Sequence, residues 1–121
     1  MLLLTSTSDI IRVVTGSAAS VAVHASYIDN NAGTITPGRT NTAAITSATT
    51  TTVVASPGSG VQRNVKYLGF ENNHATASTV VTVQHFDGTT SVDLISVVLL
   101  AGEDLVMSST GDWMHHDSNG A

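Results

Sequence analysis

The stretch that decides the fold is Ser78-Thr-Val-Val-Thr-Val-Gln-His-Phe86, followed by Asp87-Gly88 and then by Ser91-Val-Asp-Leu-Ile-Ser-Val-Val-Leu-Leu100. Both flanking segments are rich in valine and threonine, which favour β-strands. Asp-Gly between two such segments is a strong signal for a two-residue hairpin turn, because glycine adopts the positive φ that such turns require. The sequence therefore predicts a β-hairpin made of Ser78–Phe86 and Ser91–Leu100.

The second strand of this hairpin is apolar on both faces. One face carries Val92, Leu94, Val98 and Leu100, and the other carries Ile95, Val97 and Leu99. A strand with apolar residues on both faces is typical of one that is covered from both sides. We therefore expect this strand to lie deep in the protein or in a subunit interface.

Similar β-branched segments, separated by turn signals, fill the rest of the chain. The further predicted strands are Asp9–Thr15, Ser20–Asp29, Ala43–Ala55, Val61–Asn72, Asp104–Ser108 and Trp113–His115. Within Val61–Asn72 the apolar residues change parity, which predicts a β-bulge near Lys66 to Gly69. By contrast, Thr34–Thr42 has Pro-Gly at its centre and little to bury, so it is predicted to be an exposed loop, as is Ser56–Gly60.

No segment shows helical periodicity, and about eight or nine short strands follow one another. This pattern predicts an all-β chain that forms a single β-sandwich over residues 1–121, of jelly-roll type or, alternatively, of immunoglobulin type. Strand order cannot be read from the sequence, so both topologies stay open. A length of 121 residues suits one domain.

The composition excludes several classes of function. Charged residues make up 11% of the chain and the net charge is −5. With four basic residues in all, the chain has no basic stripe for a phosphate backbone, and we expect no nucleic-acid partner. The absence of cysteine excludes disulfides and thiolate metal sites. A small domain without disulfides gains stability by oligomerisation, which we therefore expect.

The start of the chain, Met1-Leu2-Leu3-Leu4, is apolar but has no basic region before it and turns polar at Thr5. We therefore predict no signal peptide. No apolar run approaches the roughly 20 residues that a membrane-spanning helix needs. The sequence predicts a soluble protein with no membrane partner.

The residues that could carry chemistry do not form a recognisable site. The best cluster is His115-His116-Asp117, but adjacent strand residues point to opposite faces, so His116 cannot join the other two on one ion. The remaining histidines lie on separate segments, and no nucleophile motif or phosphate loop is present. We predict no catalytic residue, no metal and no cofactor.

Four residues are instead candidates for contact with another protein. Leu2, Leu3 and Leu4 precede the first clear strand and form either an edge strand or arm, with residues 1–8 as the arm, or a strand of the same core. Trp113 is the single tryptophan and could anchor an interface or pack at the end of the sandwich, of which we favour packing.

Several segments resemble a family of small virion proteins of tailed bacteriophages. They are Met1-Leu-Leu-Leu-Thr-Ser-Thr-Ser-Asp-Ile-Ile-Arg-Val-Val-Thr-Gly16, His24-Ala-Ser-Tyr-Ile-Asp29, Thr36-Pro-Gly-Arg-Thr40, Val61-Gln-Arg-Asn-Val-Lys66, Asn72-Asn-His-Ala75, Val81-Thr-Val-Gln-His85, Asp87-Gly-Thr-Thr90, Leu100-Ala-Gly-Glu103 and Gly111-Asp-Trp113. These are turn and strand signatures in the family's order, and they cover nearly the whole chain. The ending Trp113-Met-His-His-Asp departs from the more apolar strand of similar sequences.

The resemblance implies a capsid decoration, or cement, protein that trimerises and binds the major capsid protein on the outer face of the virion shell. Such a protein is made in the cytoplasm of the bacterial host. The alternative is a fibre, spike or tail accessory that binds host-surface glycan, with Thr34–Thr42 and Ser56–Gly60 as the binding edge. The scarcity of aromatic residues, one Trp, two Tyr and two Phe, counts against that alternative.

Overall fold

The computed structural model describes residues 2–120 and shows an all-β chain. Met1 and Ala121, at the two ends of the predicted domain, lie outside the described residues. Ten strands follow one another, one or two more than the sequence predicts: β1 (Leu2–Leu4), β2 (Ile10–Thr15), β3 (Val21–Asn31), β4 (Thr34–Ile45), β5 (Thr49–Val54), β6 (Val61–Asn72), β7 (Thr79–Phe86), β8 (Ser91–Leu99), β9 (Asp104–Met107) and β10 (Trp113–His116). No helix long and apolar enough to cross a bilayer occurs in this described part of the chain.

The strands form two antiparallel sheets. Sheet A has the order β10-β9-β6-β3-β4. Strand β1 also belongs to this sheet: it pairs with the first half of β6, and β9 pairs with the second half. Sheet B has the order β5-β2-β7-β8. The all-β sandwich prediction is confirmed in its class, with the sheets arranged around one core.

The core lies between the two sheets and is almost entirely aliphatic. Alternate residues of each strand point inward, as in β2, where Ile11 and Val13 are fully buried. Phe70 of sheet A is the largest fully buried side chain. Burial of an aliphatic side chain contributes about 1.5–3 kcal/mol, so these inward-facing positions provide most of the stability of the fold.

The predicted bulge in β6 is confirmed. Ser26 of β3 pairs with Tyr67, whereas the next residue, Tyr27, pairs with Val65, so Lys66 is the extra residue. Because of this extra residue, Val65 and Leu68 are both buried although they are three positions apart. The change of apolar parity in the sequence thus reports a real change of register.

The prediction of an exposed loop over Thr34–Thr42 is wrong, because this segment belongs to strand β4. The prolyl ring at Pro37 removes a backbone donor, but β4 is the edge of sheet A, where a missing donor breaks no ladder. In the turn before it, Ala32 and Gly33 both have positive φ, which is the geometry of a two-residue hairpin.

Gly38 of β4 is covered by an aromatic ring from the neighbouring strand. The ring of Tyr27 occupies the space into which a Cβ at Gly38 would project. The Arg63 guanidinium stacks 4.0 Å from the centre of that ring and forms two hydrogen bonds with Asp29, of 2.8 and 3.0 Å. This stack holds the far end of the β3–β4 hairpin against β6.

The predicted long strand Ala43–Ala55 is also wrong as a single element. The chain leaves sheet A at Ile45 and enters sheet B at Thr49, so the threonine-rich segment forms β5. The Thr15 hydroxyl fixes this crossing by donating a hydrogen bond of 2.7 Å to the Ser47 carbonyl oxygen. Uniform β-propensity along the segment hid the break between two sheets.

The predicted hairpin is confirmed as β7 and β8. The predicted two-residue turn is wrong, because the four residues Asp87–Thr90 join the strands. The backbone N–H groups of Thr90 and Thr89 both donate to the Asp87 carboxylate and hold its pKa below the ordinary value. The expectation that β8 lies deep in the protein is wrong, because β8 is the edge strand of sheet B. The alternative expectation, a subunit interface, stays a prediction.

Candidate interaction surfaces

The free edge of β8 exposes apolar side chains. Within residues 2–120, β8 pairs with β7 on one side and with no strand on the other. Edge strands normally carry charges that prevent pairing with other chains, yet β8 has one charged residue, Asp93. Val92 and Val98 on this strand are 54% and 49% exposed. The edge can therefore accept a strand from another chain.

An apolar patch adjoins this edge on the outer face of sheet B. Val80 of β7 pairs directly with Val98 of β8, and Leu100 follows two positions further along. All three side chains are substantially exposed. We call Val80, Val98 and Leu100 the outer patch. Contiguous exposed apolar residues next to an unpaired edge are typical of an interaction site.

The other end of the same face is polar and satisfied within the chain. Arg12 donates to the Gln84 amide oxygen at 2.8 Å, and Gln84 donates to Asp93 at 2.8 Å. The guanidinium of Arg12 lies 4.1 Å from the centre of the Phe86 ring. Because these groups already have partners, the outer patch is the part of the face more available for binding.

The three leucines predicted as contact residues form β1, antiparallel to β6. The structure thus shows the strand of the same core, and Leu4 is fully buried in it. Leu2 is partly buried, whereas Leu3 is 50% exposed and its carbonyl oxygen lies 3.2 Å from His85 Nε2 of sheet B. Of the three, Leu3 is therefore the side chain that can reach another protein.

Trp113 lies on β10 and packs, partly buried, against the core. It pairs with Met107, which is almost completely buried. This agrees with the packing interpretation of Trp113, while its predicted contact with another subunit or with the capsid stays a prediction.

The histidines near the C-terminus pair with separate carboxylates. His115 lies 3.0 Å from Glu103, and His116 lies 2.6 Å from Asp104. A hydrogen bond from the Leu100 N–H, and then His115, lower the pKa of Glu103. In residues 2–120 no three histidine or acidic side chains come together in a way that could hold a metal ion.

A small hollow opens on the outer face of sheet A, above Gly69. Its volume is about 150 Å³, and its lining consists of His24, Tyr67, Gly69, Phe70, Glu71, Asp104 and Val106. The Tyr67 ring covers part of the space where a Cβ at Gly69 would project, with its hydroxyl oxygen 2.9 Å from that position. We call this cavity the Gly69 hollow.

The two segments expected to form a glycan-binding edge do not form a pair of loops. Thr34–Thr42 is a strand, so Ser56–Gly60 remains as the loop. A second cavity, of about 260 Å³, lies between Asn30, Ala32, Gly33, Gly60 and Gln62 and contains no aromatic side chain. The lining of this cavity therefore offers no ring on which a sugar could stack.

No protein-family model matches the chain, and neither a curated protein nor a solved structure matches it.

The sequence predicted neither the outer patch nor the Gly69 hollow. Both depend on residues from different strands that become neighbours through strand order, as Glu71 and Asp104 do across β6 and β9. Only one sequence feature pointed towards the outer patch. Apolar residues on both faces of Ser91–Leu100 indicated that this strand is covered on both sides, either by the rest of the protein or by another subunit.

Proposed function

We propose that this protein is a capsid decoration protein of a tailed bacteriophage, which binds the outer face of the major capsid protein shell and stabilises it. The observation that carries the proposal is the free apolar edge of β8 with the outer patch beside it. The resemblance of the turn and strand segments to small phage virion proteins supports the same role. The protein acts by adding contact area, not by chemistry.

The contact with the shell uses strand addition. An extended segment of the major capsid protein pairs with the free backbone groups of β8, and its side chains cover Val98 and Leu100. Main-chain hydrogen bonds provide affinity, and the apolar contacts exclude water. Binding to the assembled shell and not to its separated subunits stabilises the shell by mass action.

The protein acts as a homotrimer on the virion surface. One strand edge gives a small contact, whereas a specific interface usually buries about 1,200–2,000 Å². Three copies multiply the contact and increase avidity. Two of the residues predicted to contact another protein lie on sheet A, away from β8. They are Leu3, which is exposed, and Trp113, which is half-buried. They would provide the contact between copies.

A binding experiment tests this role. Purified protein is mixed with phage shells that lack it, and the bound fraction is measured by co-sedimentation. Val98→Lys places a charge in the outer patch without disturbing the core, because Val98 is half exposed. We expect this variant to bind about tenfold more weakly or worse, since the lysine would be buried without a partner.

Ile35→Lys is the matched control, because Ile35 is 57% exposed on β4, the edge strand of the other sheet. It should bind the shells as the unmodified protein does. Equal binding by the Val98→Lys variant, or an equal loss in both variants, would contradict the proposed contact.

A further inference from the structure

We infer that the Gly69 hollow binds a lysine or arginine side chain presented by an extended segment of another protein. The site is independent of β8, because it lies on the outer face of sheet A. It forms where three neighbouring strands carry His24, Gly69 and Val106 in one row. The Tyr67 ring covers part of the space above Gly69, and the remaining hollow of about 150 Å³ has the size of a single side chain, not of a large ligand.

The charge of the hollow favours a cation. Glu71 and Asp104 lie directly opposite each other on β6 and β9, an arrangement in which two negative charges repel. His116 contacts Asp104 at 2.6 Å, whereas the Glu71 side chain is exposed and forms no salt bridge within residues 2–120. A cation between the two carboxylates would relieve the repulsion. The net charge of −5 adds a long-range attraction for basic segments.

The other walls suit the chemistry of a basic side chain. Tyr67 is 36% exposed, and a cation within about 6 Å of an aromatic ring is attracted to its face. Val106 provides an apolar wall for the aliphatic part of a lysine or arginine. Both features distinguish the hollow from a general acidic surface.

The imidazole of His24 makes the wall rigid. Its two ring nitrogens lie 2.6 Å from the Asn41 amide oxygen and 2.8 Å from the Ser26 hydroxyl. The His24 and Tyr67 rings are 5.9 Å apart between centres, so His24 also limits the movement of Tyr67. A side chain that enters the hollow therefore meets a preformed site and loses little free energy to reorganisation.

The test is an amide NMR titration of the full, isotope-labelled chain with short synthetic peptides. Three five-residue peptides differ at their central residue, which is lysine, arginine or norleucine, and butylammonium serves as the free-amine probe. We expect the lysine and arginine peptides to shift the Gly69 and Val106 amide signals with saturation. The norleucine peptide should not shift them, and butylammonium should bind more weakly than the peptides.

Two variants localise the effect. Glu71→Gln should weaken binding of the lysine peptide about fivefold, the upper range for an exposed ion pair. Asp93→Asn removes the same unit of charge from the outer face of sheet B and should leave the affinity unchanged. The inference is overturned if no signal saturates, if the norleucine peptide binds equally, if both variants weaken binding equally, or if butylammonium binds as tightly as the peptides.

Discussion

At position 72 one buried amide holds three segments of the chain together. The Asn72 side chain is completely buried, and its amide nitrogen donates to the carbonyl oxygens of Ala77 and Leu99 at 2.9 and 3.1 Å. Its amide oxygen accepts from the His74 N–H at 3.1 Å. The side chain thus ties the β6–β7 connection to the end of β8. The sequence predicted that a strand ends at Asn72 but gave no sign of this role of its side chain.

We expect Asn72→Ala to destabilise the fold by about 2–3 kcal/mol, because it leaves buried backbone groups without partners. Chemical denaturation followed by circular dichroism measures the change. Asn73→Ala is the control, since Asn73 is exposed and should cost less than about 0.5 kcal/mol. Equal stabilities of the two variants would contradict the assignment.

Asp9 makes stability depend on pH. Its buried carboxylate accepts hydrogen bonds from the backbone N–H groups of Thr5 at 2.8 Å and Ser6 at 3.2 Å, which hold its pKa below the ordinary value. The pKa of Asp9 is lower in the folded chain than in the unfolded chain. The Asp9 carboxylate therefore stabilises the fold fully above the unfolded pKa of about 4, and this stabilisation is lost as the pH falls through the folded pKa.

Asp9→Asn removes the charge and should cost about 1–2 kcal/mol at neutral pH, as expected for a charge-assisted hydrogen bond. The difference from the unmodified protein should shrink as the pH falls below about 4. Thermal unfolding at a series of pH values measures it. A difference that stays constant between neutral and acid pH would refute this account of Asp9.

At the scale of the element, the sequence predicts strands that face the core better than strands at an edge. The parity change around Lys66 predicted a bulge because burial dictates which residues face inward. For Thr34–Thr42 that information is missing, since β4 is an edge strand with mostly exposed residues and tolerates Pro37. Turn composition then indicated a loop where backbone pairing makes a strand.

Deletion of Lys66 tests the bulge. Without the extra residue, Val65 and Leu68 stand two positions apart, as in a regular strand, so both side chains can stay in the core. We expect a loss of no more than about 1 kcal/mol. Urea denaturation measures the loss.

Deletion of Gly69 is the control, because it makes the buried Leu68 and Phe70 adjacent, so that one of them must leave the core with its neighbours. It should cost about 3–6 kcal/mol, equivalent to exposing two buried side chains. Similar losses in the two deletions would contradict the assignment of Lys66 as the extra residue.

At the scale of the molecule, composition and periodicity were sufficient to predict the class of fold but not its surfaces. Inward-facing residues repeat along each strand, so the core can be read from one strand at a time. The outer patch and the Gly69 hollow combine residues that are distant in sequence, such as Val80 with Val98 and Glu71 with Asp104. Strand order creates them, and it is not encoded in any single segment.

We propose that this protein is a component of a phage shell, bound through β8. The most direct test is quantitative mass spectrometry of purified virions, which gives the copy number of this chain relative to the major capsid protein. We expect a copy number comparable to that of the capsid protein, because decoration covers the whole surface. A few copies per particle, or absence from the particle, would contradict it.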